Sequence, residues 1–183
     1  MSARMEKGHK SEKQFYYEVE LNWLTNKSGI VHSRDVEGTI HVATPKQFGG
    51  EGKDWSPEHL FLNSICSCYM STFISFSKKM NFEISRLDCS AIGQTERVDD
   101  KYKFTYINLY PEISVADQSL FDKVNLAVEK TQKYCLISNS INAIVIYHAE
   151  ILIEPRRNNN AELTGLISSP VITALLLAMD CFL

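Results

Sequence analysis

The sequence has no surplus of charge of either sign. Its 183 residues carry 19 Lys and Arg against 22 Asp and Glu, a net charge of -3. Without a basic excess there is no general electrostatic reason to hold phosphate backbones or anionic lipid, so neither nucleic acid nor membrane is an expected partner. Glycine (8) and proline (5) are sparse and only 22% of residues are charged, which sets aside the collagen-like, low-complexity and highly charged disordered classes. Nucleotide and hydrolase signatures are missing as well: there is no G-x-G-x-x-G, no P-loop and no G-x-S-x-G. The five histidines, His9, His32, His41, His59 and His148, are scattered without i,i+4 pairing, and no C-x-x-C is present. A structural zinc site is therefore not expected, and neither is any cofactor. The opening residues 1–13 are polar and basic with no apolar signal core, from which a reducing, cytoplasmic compartment is expected.

What the chain does have is 44% hydrophobic residues and five cysteines, enough for a real core and, in a reducing compartment, a set of thiols to be explained. Residues 15–43 alternate in the manner of strands, with turns at Thr25-Asn26-Lys27-Ser28-Gly29 and at Gly38, and predict an antiparallel meander of three strands. The glycine-rich loop 48–55 leads into a helix over 56–80, with Ser56 as cap, Pro57 at the first helical position and Glu58 in the first turn. Apolar residues surround most of this helix, so it is expected to be buried nearly all round. Two extended runs, 83–98 and 102–115, are joined by a hairpin turn at Asp99-Asp100. A second helix starts at Asp117 or Ser119, carries Leu120, Phe121, Val124, Ala127 and Val128 as a stripe, and ends near Cys135. A last strand covers 143–153. The order βββ-α-ββ-α-β is an α+β arrangement with no Rossmann or barrel rhythm.

Three segments follow from this division: a polar leader (1–14), a folded domain (15–154) and an extension (155–183). Within the extension, 163–183 is mostly apolar and close to the ~20 residues of a membrane span. Pro170, Asp180 and the Gly-Ser-Ser content favour an added packed segment over an anchor.

The cysteines divide by context. Cys66 and Cys68 share the first helix but lie ~200° apart around it, so they face opposite sides and cannot bridge within an intact helix. Cys135 sits at the carboxyl end of the second helix, where another helix could approach. Cys89, in a strand, and Cys181, in the extension, have no supporting context and read as structural or incidental. A buried helical cysteine is commonly packing material, so these positions alone do not choose between packing and chemistry.

The run Ser56-Pro57-Glu58-His59-Leu60-Phe61 with Cys68 on the same helix, the preceding Thr44-Pro45-Lys46-Gln47-Phe48-Gly49-Gly50, and the distant Lys133-Tyr134-Cys135-Leu136-Ile137-Ser138-Asn139-Ser140 resemble the OsmC/Ohr family of thiol peroxidases over about 15–154. The resemblance implies an intertwined homodimer in which antiparallel sheets wrap two central helices, with two sites at the subunit interface. It implies an antioxidant, stress-response role: Cys68 attacks an organic hydroperoxide, releases an alcohol, and the resulting sulfenate condenses with Cys135. It also implies an external dithiol reductant, such as a lipoylated protein, that resets the pair. The family's glutamate corresponds to Glu58, ten positions before Cys68 and thus ~15 Å away along a straight helix, a separation met if Glu58 comes from the other subunit. Where the family has an arginine before the turn glycine this chain has Lys27, leaving Lys27, Arg34 and Lys46 as candidates to stand beside the thiol. Phe61, Tyr69, Phe73 and Phe76, with Phe48 and Trp55, are candidates for an apolar approach, though most of them are expected to be core. The alternative function is a non-catalytic dimer of the same fold that binds an apolar small molecule in the interfacial pocket.

Overall fold

The first long helix begins where Ser56 satisfies the free amides. Its hydroxyl accepts from the His59 N–H at 3.3 Å, and His59 Nδ1 accepts from the Ser56 N–H at 3.3 Å. This is a reciprocal capping box with His in the place more often held by Glu or Gln. In the computed structural model, which describes residues 13–154, this helix, α1, runs Pro57–Lys79. The chain divides into two compact units at Ser64/Ile65, and α1 starts in the first and continues in the second.

In the first unit β1 (Glu20–Thr25), β2 (Ser28–Ser33) and β3 (Val36–Ala43) form the expected antiparallel meander. The register aligns Trp23 with Gly29 and Val42, and Leu21 with Val31 and Ile40. Because side chains alternate between faces, Leu21, Trp23, Val31, Ile40 and Val42 share one face, on which Leu21, Trp23 and Ile40 are exposed. After β3 the loop closes on itself. Lys46–Phe48 forms a 3-10 turn ended by Gly49 at φ 78°, Gly50 N–H donates to Pro45 O at 3.0 Å, and Ala43 N–H donates to Trp55 O at 2.9 Å. A Cβ on Gly50 would stand 1.6 Å from Thr44 O, so only glycine lets the loop return beside β3 and deliver Trp55 to the capping serine.

In the second unit the long hairpin β4 (Arg86–Val98) and β5 (Lys101–Val115) turns at Asp99 and Asp100, both at positive φ (50° and 61°), as a tight hairpin turn requires. Asp117 then caps a short 3-10 turn through Ser119 N–H, and α2 (Phe121–Tyr134) buries Val124, Ala127, Val128 and Thr131. The last strand departs from expectation in two ways. It is split into β6 (Ile144–Tyr147) and β7 (Glu150–Ile153), and both pieces pair parallel to β5. Pairing stops at Leu109↔Tyr147 and resumes at Glu112↔Glu150, so the gap falls beside Pro111, which has no N–H to give a ladder. The parallel direction follows from α2, which carries the chain back to the start of β5 as a crossover helix does.

The core of this unit is one face of β5, with Ile107, Leu109, Pro111 and Ile113 fully buried, against Ile65, Tyr69 and Phe73 of α1. Tyr69 stacks on Phe73 and meets Tyr147, while Phe73 meets Phe82 edge-on. Helix α1 is not buried all round. Its buried residues are Ile65, Tyr69, Phe73 and Ser77, a single stripe of i,i+4 spacing, and Met70 is 46% exposed. The helix is apolar beyond what one chain covers. The apolar stretch 163–183 lies outside the described residues.

Ser56→Ala removes the hydroxyl half of the capping box and is expected to cost about 1 kcal/mol. Urea unfolding should show a lower midpoint with an unchanged slope.

Candidate active site

The second unit brings two of the expected site residues together. Cys68 is half-buried on the flank of α1. Its Sγ accepts a hydrogen bond from the Ile137 backbone N–H at 3.5 Å, and Thr72 Oγ1 stands 4.0 Å away, one helical turn on. Cys135, fully buried, is the residue at which α2 ends: its N–H still closes the helix onto Thr131 O, but its own backbone has turned to the extended region. Cys135 stands two residues before the Ile137 N–H that Cys68 accepts, so both sulfurs meet the same segment, and Ser138 Oγ donates to Cys135 Sγ at 3.2 Å.

The segment after α2 is held for this purpose. Asn139 Nδ2 donates to both Lys133 O and Cys135 O, at 3.0 and 2.8 Å, and Ser140 Oγ donates to Leu136 O at 2.8 Å. These side chains satisfy carbonyls orphaned at the helix end and fold 135–140 into a tight knuckle. One of its amides, that of Ile137, is aimed at one sulfur, and one of its hydroxyls, that of Ser138, at the other.

The two thiols are not equivalent. Burial pushes Cys135 above the ordinary thiol range, Ser138 pulls it back, and the neighbouring Cys68 raises it again. Cys135 is thus kept as a protonated thiol out of water, whereas Cys68 is half-buried and accepts a backbone N–H. Tyr147, whose phenol is also raised by burial and lowered by Ser138, completes the group.

The remaining expected residues are placed in the first unit. Glu58 lies in the first turn of α1, ten residues or ~15 Å of helical rise before Cys68. Its Oε2 is buried and has no hydrogen-bond partner among the described residues. Lys27 Nζ donates to Phe48 O at 2.8 Å, binding the hairpin turn to the 3-10 turn, and Arg34 pairs with Glu20 at 3.0 Å. Lys46 lays its methylenes over Gly52.

Of the six aromatics considered for an apolar approach, Tyr69 and Phe73 are core, and Trp55 packs edge-on against His59. Phe76 lines a depression on the second unit, about 520 Å³ in volume, with Tyr134, Ser71, Thr72, Ser75, Lys79 and Lys130. Thr72 belongs both to this depression and to the surroundings of Cys68. Sequence reasoning named Ile137, Ser138 and Asn139 only within the run that carries the resemblance, without a role for any of them, and missed Thr72 and Tyr147. A serine and an asparagine three and four residues after a helix-ending cysteine are the signal that could have assigned a role to two of them, since such residues cap helix ends.

Residues 50–148 match the family described as OsmC-like protein. The chain is 22% identical over 135 residues to the uncharacterized protein YmaD of Bacillus subtilis, spanning 71% of this chain and 89% of that one. In fold it is similar to an OsmC-like protein of unknown function from Vibrio cholerae, with TM-score 0.67 and 15% identity over 75% of this chain and 100% of that one. It is also similar to an organic hydroperoxide resistance protein OsmC from Legionella pneumophila, with TM-score 0.62 and 19% identity over 78% and 100%. The organic hydroperoxide resistance protein OhrB of Bacillus subtilis gives TM-score 0.55 and 18% identity over 75% and 98%.

Ser138→Ala is expected to push the Cys135 thiol further up, because it removes a donor that favours the thiolate. In a Cys68→Ser background, the pH profile of Cys135 alkylation by iodoacetamide under partly opening conditions should move to higher pH. A shift to lower pH would contradict the assigned donor.

Proposed function

The chain belongs to the OsmC-like protein family, and from that premise we propose that it is a thiol-dependent peroxidase that reduces organic hydroperoxides to alcohols. The observation that carries this reading is the Cys68 sulfur held against the Ile137 N–H with the Cys135 thiol beside it. Cys68 thiolate attacks the distal peroxide oxygen. The O–O bond breaks, the alkoxide leaves and takes a proton as alcohol, and Cys68 becomes a sulfenic acid. The Cys135 thiol then attacks the Cys68 sulfur, water leaves, and a Cys68–Cys135 disulfide remains. A dithiol, for which a lipoyl group on a partner protein is suitable, reduces the disulfide and is itself oxidised. A reducing, cytoplasmic compartment suits such a cycle.

The depression beside Thr72 is the route of approach in this reading, with Phe76 and Tyr134 offering apolar surface to the organic group. Glu58 serves as the anchor for the cation that faces the thiolate, as the orphaned Oε2 supports, and it acts across a subunit interface. Homodimerisation is supported by the apolar excess of α1 and by the exposed Leu21, Trp23 and Ile40 on the face of the meander sheet.

The test is consumption of cumene hydroperoxide with dihydrolipoamide as reductant. The wild-type chain should turn over, Cys68→Ser should lose at least a thousandfold, and Cys135→Ser should react once and stall. Turnover of Cys68→Ser equal to wild type would overturn the proposal, and absence of turnover in the wild type would favour the apolar-ligand-binding alternative.

The dimer makes a separate prediction. Sedimentation should give about twice the chain mass of 20.8 kDa, and Leu21→Glu, which places a charge on the exposed apolar sheet face, should shift the population toward monomer.

A further inference from the structure

Cys68, Thr72, Phe76 and Lys79 follow one another on α1 at spacings of four, four and three residues, so the flank of the helix that presents the sulfur presents next a hydroxyl, then a ring, then a cation. Thr72 Oγ1 is 4.0 Å from Cys68 Sγ. Thr72, Phe76 and Lys79 line the depression of about 520 Å³, which Lys130 and Tyr134 of α2 complete. That is the volume of a small-molecule site. The Phe76 and Tyr134 rings meet with centroids 5.8 Å apart, and Lys79 reaches back along the helix so that its Nζ lies 5.4 Å from the centre of the Phe76 ring. Neither Lys79 nor Lys130 is in an ion pair among the described residues. Ser71 and Ser75, also in the lining, give their hydroxyl protons to Cys68 O and Ser71 O at 3.1 and 2.8 Å. The charged donors of the depression are thus two ammonium groups with no carboxylate of the chain to answer them.

We propose that Lys79 and Lys130 form an acid-recognition subsite, and that the preferred substrate is a compact organic hydroperoxide carrying its own carboxylate. The proposal rests on the reading of Cys68 as the thiol that attacks the peroxide, and adds to it which hydroperoxide the site selects. Phe76 follows Cys68 by eight residues, ~12 Å of helical rise, and the Lys79 ammonium stands at that ring. Attack places the peroxide oxygen ~3 Å from the sulfur, and a charge-assisted hydrogen bond places a carboxylate oxygen ~3 Å from the ammonium. About 6 Å then remains between the two ends of the ligand, the reach of one ring or a short chain. A ring suits the wall as well, since Phe76 and Tyr134 offer it faces and edges to pack on. The acid takes no part in the bond changes at sulfur and leaves unaltered on the alcohol. Lys79 is exposed and Lys130 half-buried, so the attraction is weakened by salt.

The test compares cumene hydroperoxide bearing a para-carboxylate with its methyl ester, two substrates with the same reacting group and different charge. Dihydrolipoamide, being uncharged, serves as reductant, so the lysines act on the peroxide alone. In the wild-type chain kcat/KM should favour the acid over the ester about tenfold, mostly through KM, the scale of two exposed charge contacts acting together. The ratio should shrink at high salt and approach one in the Lys79→Gln/Lys130→Gln variant; taken within each protein, it cancels any general loss of activity. Equal rates for acid and ester in a wild type that consumes cumene hydroperoxide would overturn the proposal and leave the peroxidase reading standing, and so would a preference that survives in the double variant. If no hydroperoxide is turned over, para-isopropylbenzoate, the same body without the peroxide, is titrated into both proteins by calorimetry. Binding about tenfold weaker in the double variant would support the acid subsite without the peroxidase, whereas equal or absent binding would overturn it.

Discussion

The contact on which the candidate site depends is the one between the Ile137 N–H and Cys68 Sγ. It joins two parts of the chain 69 residues apart, and it exists only because α2 stops at Cys135 and the next five residues curl back. Asn139 and Ser140 make that stop by taking up the carbonyls that α2 leaves free. The amide, being backbone, cannot be titrated away, and it offers the sulfur a fixed partial positive charge that needs no reorganisation when charge builds up there. Burial raises the Cys135 thiol and keeps it protonated. A half-buried, hydrogen-bonded sulfur near a buried, protonated one is an arrangement that suits a sulfenate-to-disulfide sequence.

The scaffold around this contact is economical on one side and incomplete on the other. Within the second unit, Tyr69 and Phe73 fill the space over β5, and each buried aromatic of this kind contributes on the order of 1.5–3 kcal/mol relative to exposure. Arg86 ties β4, β5 and the end of β7 through Asp88, Glu112 and Glu154. Along α1 the apolar residues beside the buried stripe are only half-covered and Met70 is exposed, and the face of the meander that carries Leu21, Trp23 and Ile40 is open to solvent in a single chain. Exposed apolar surface of that kind marks an interaction site, and it is the physical support for the proposed homodimer.

The parts of the fold that rest on local chemistry were legible in the sequence. Pro57 after Ser56 announces the helix start, Asp99-Asp100 announces the hairpin, and the spacing of Val124, Ala127 and Val128 announces the buried side of α2. What was not legible depends on contacts between distant segments. The parallel pairing of β6 and β7 is decided by where α2 returns the chain, and their separation by Pro111, a residue visible mid-strand whose effect falls on its neighbour. The burial of α1 was overestimated because an apolar helix is hidden by whatever packs on it, and one chain supplies only one side. Cys68 and Cys135 could be paired from the sequence through family resemblance alone.

The most direct measurement of the central claim is chemical trapping at a single equivalent of cumene hydroperoxide. In Cys135→Ser, dimedone added with the peroxide should label Cys68 and no other cysteine, while the wild-type chain should resist dimedone and yield a Cys68–Cys135 disulfide by peptide mass spectrometry. Label on a different cysteine, or Cys68 recovered as free thiol after the peroxide has been added, would contradict the account.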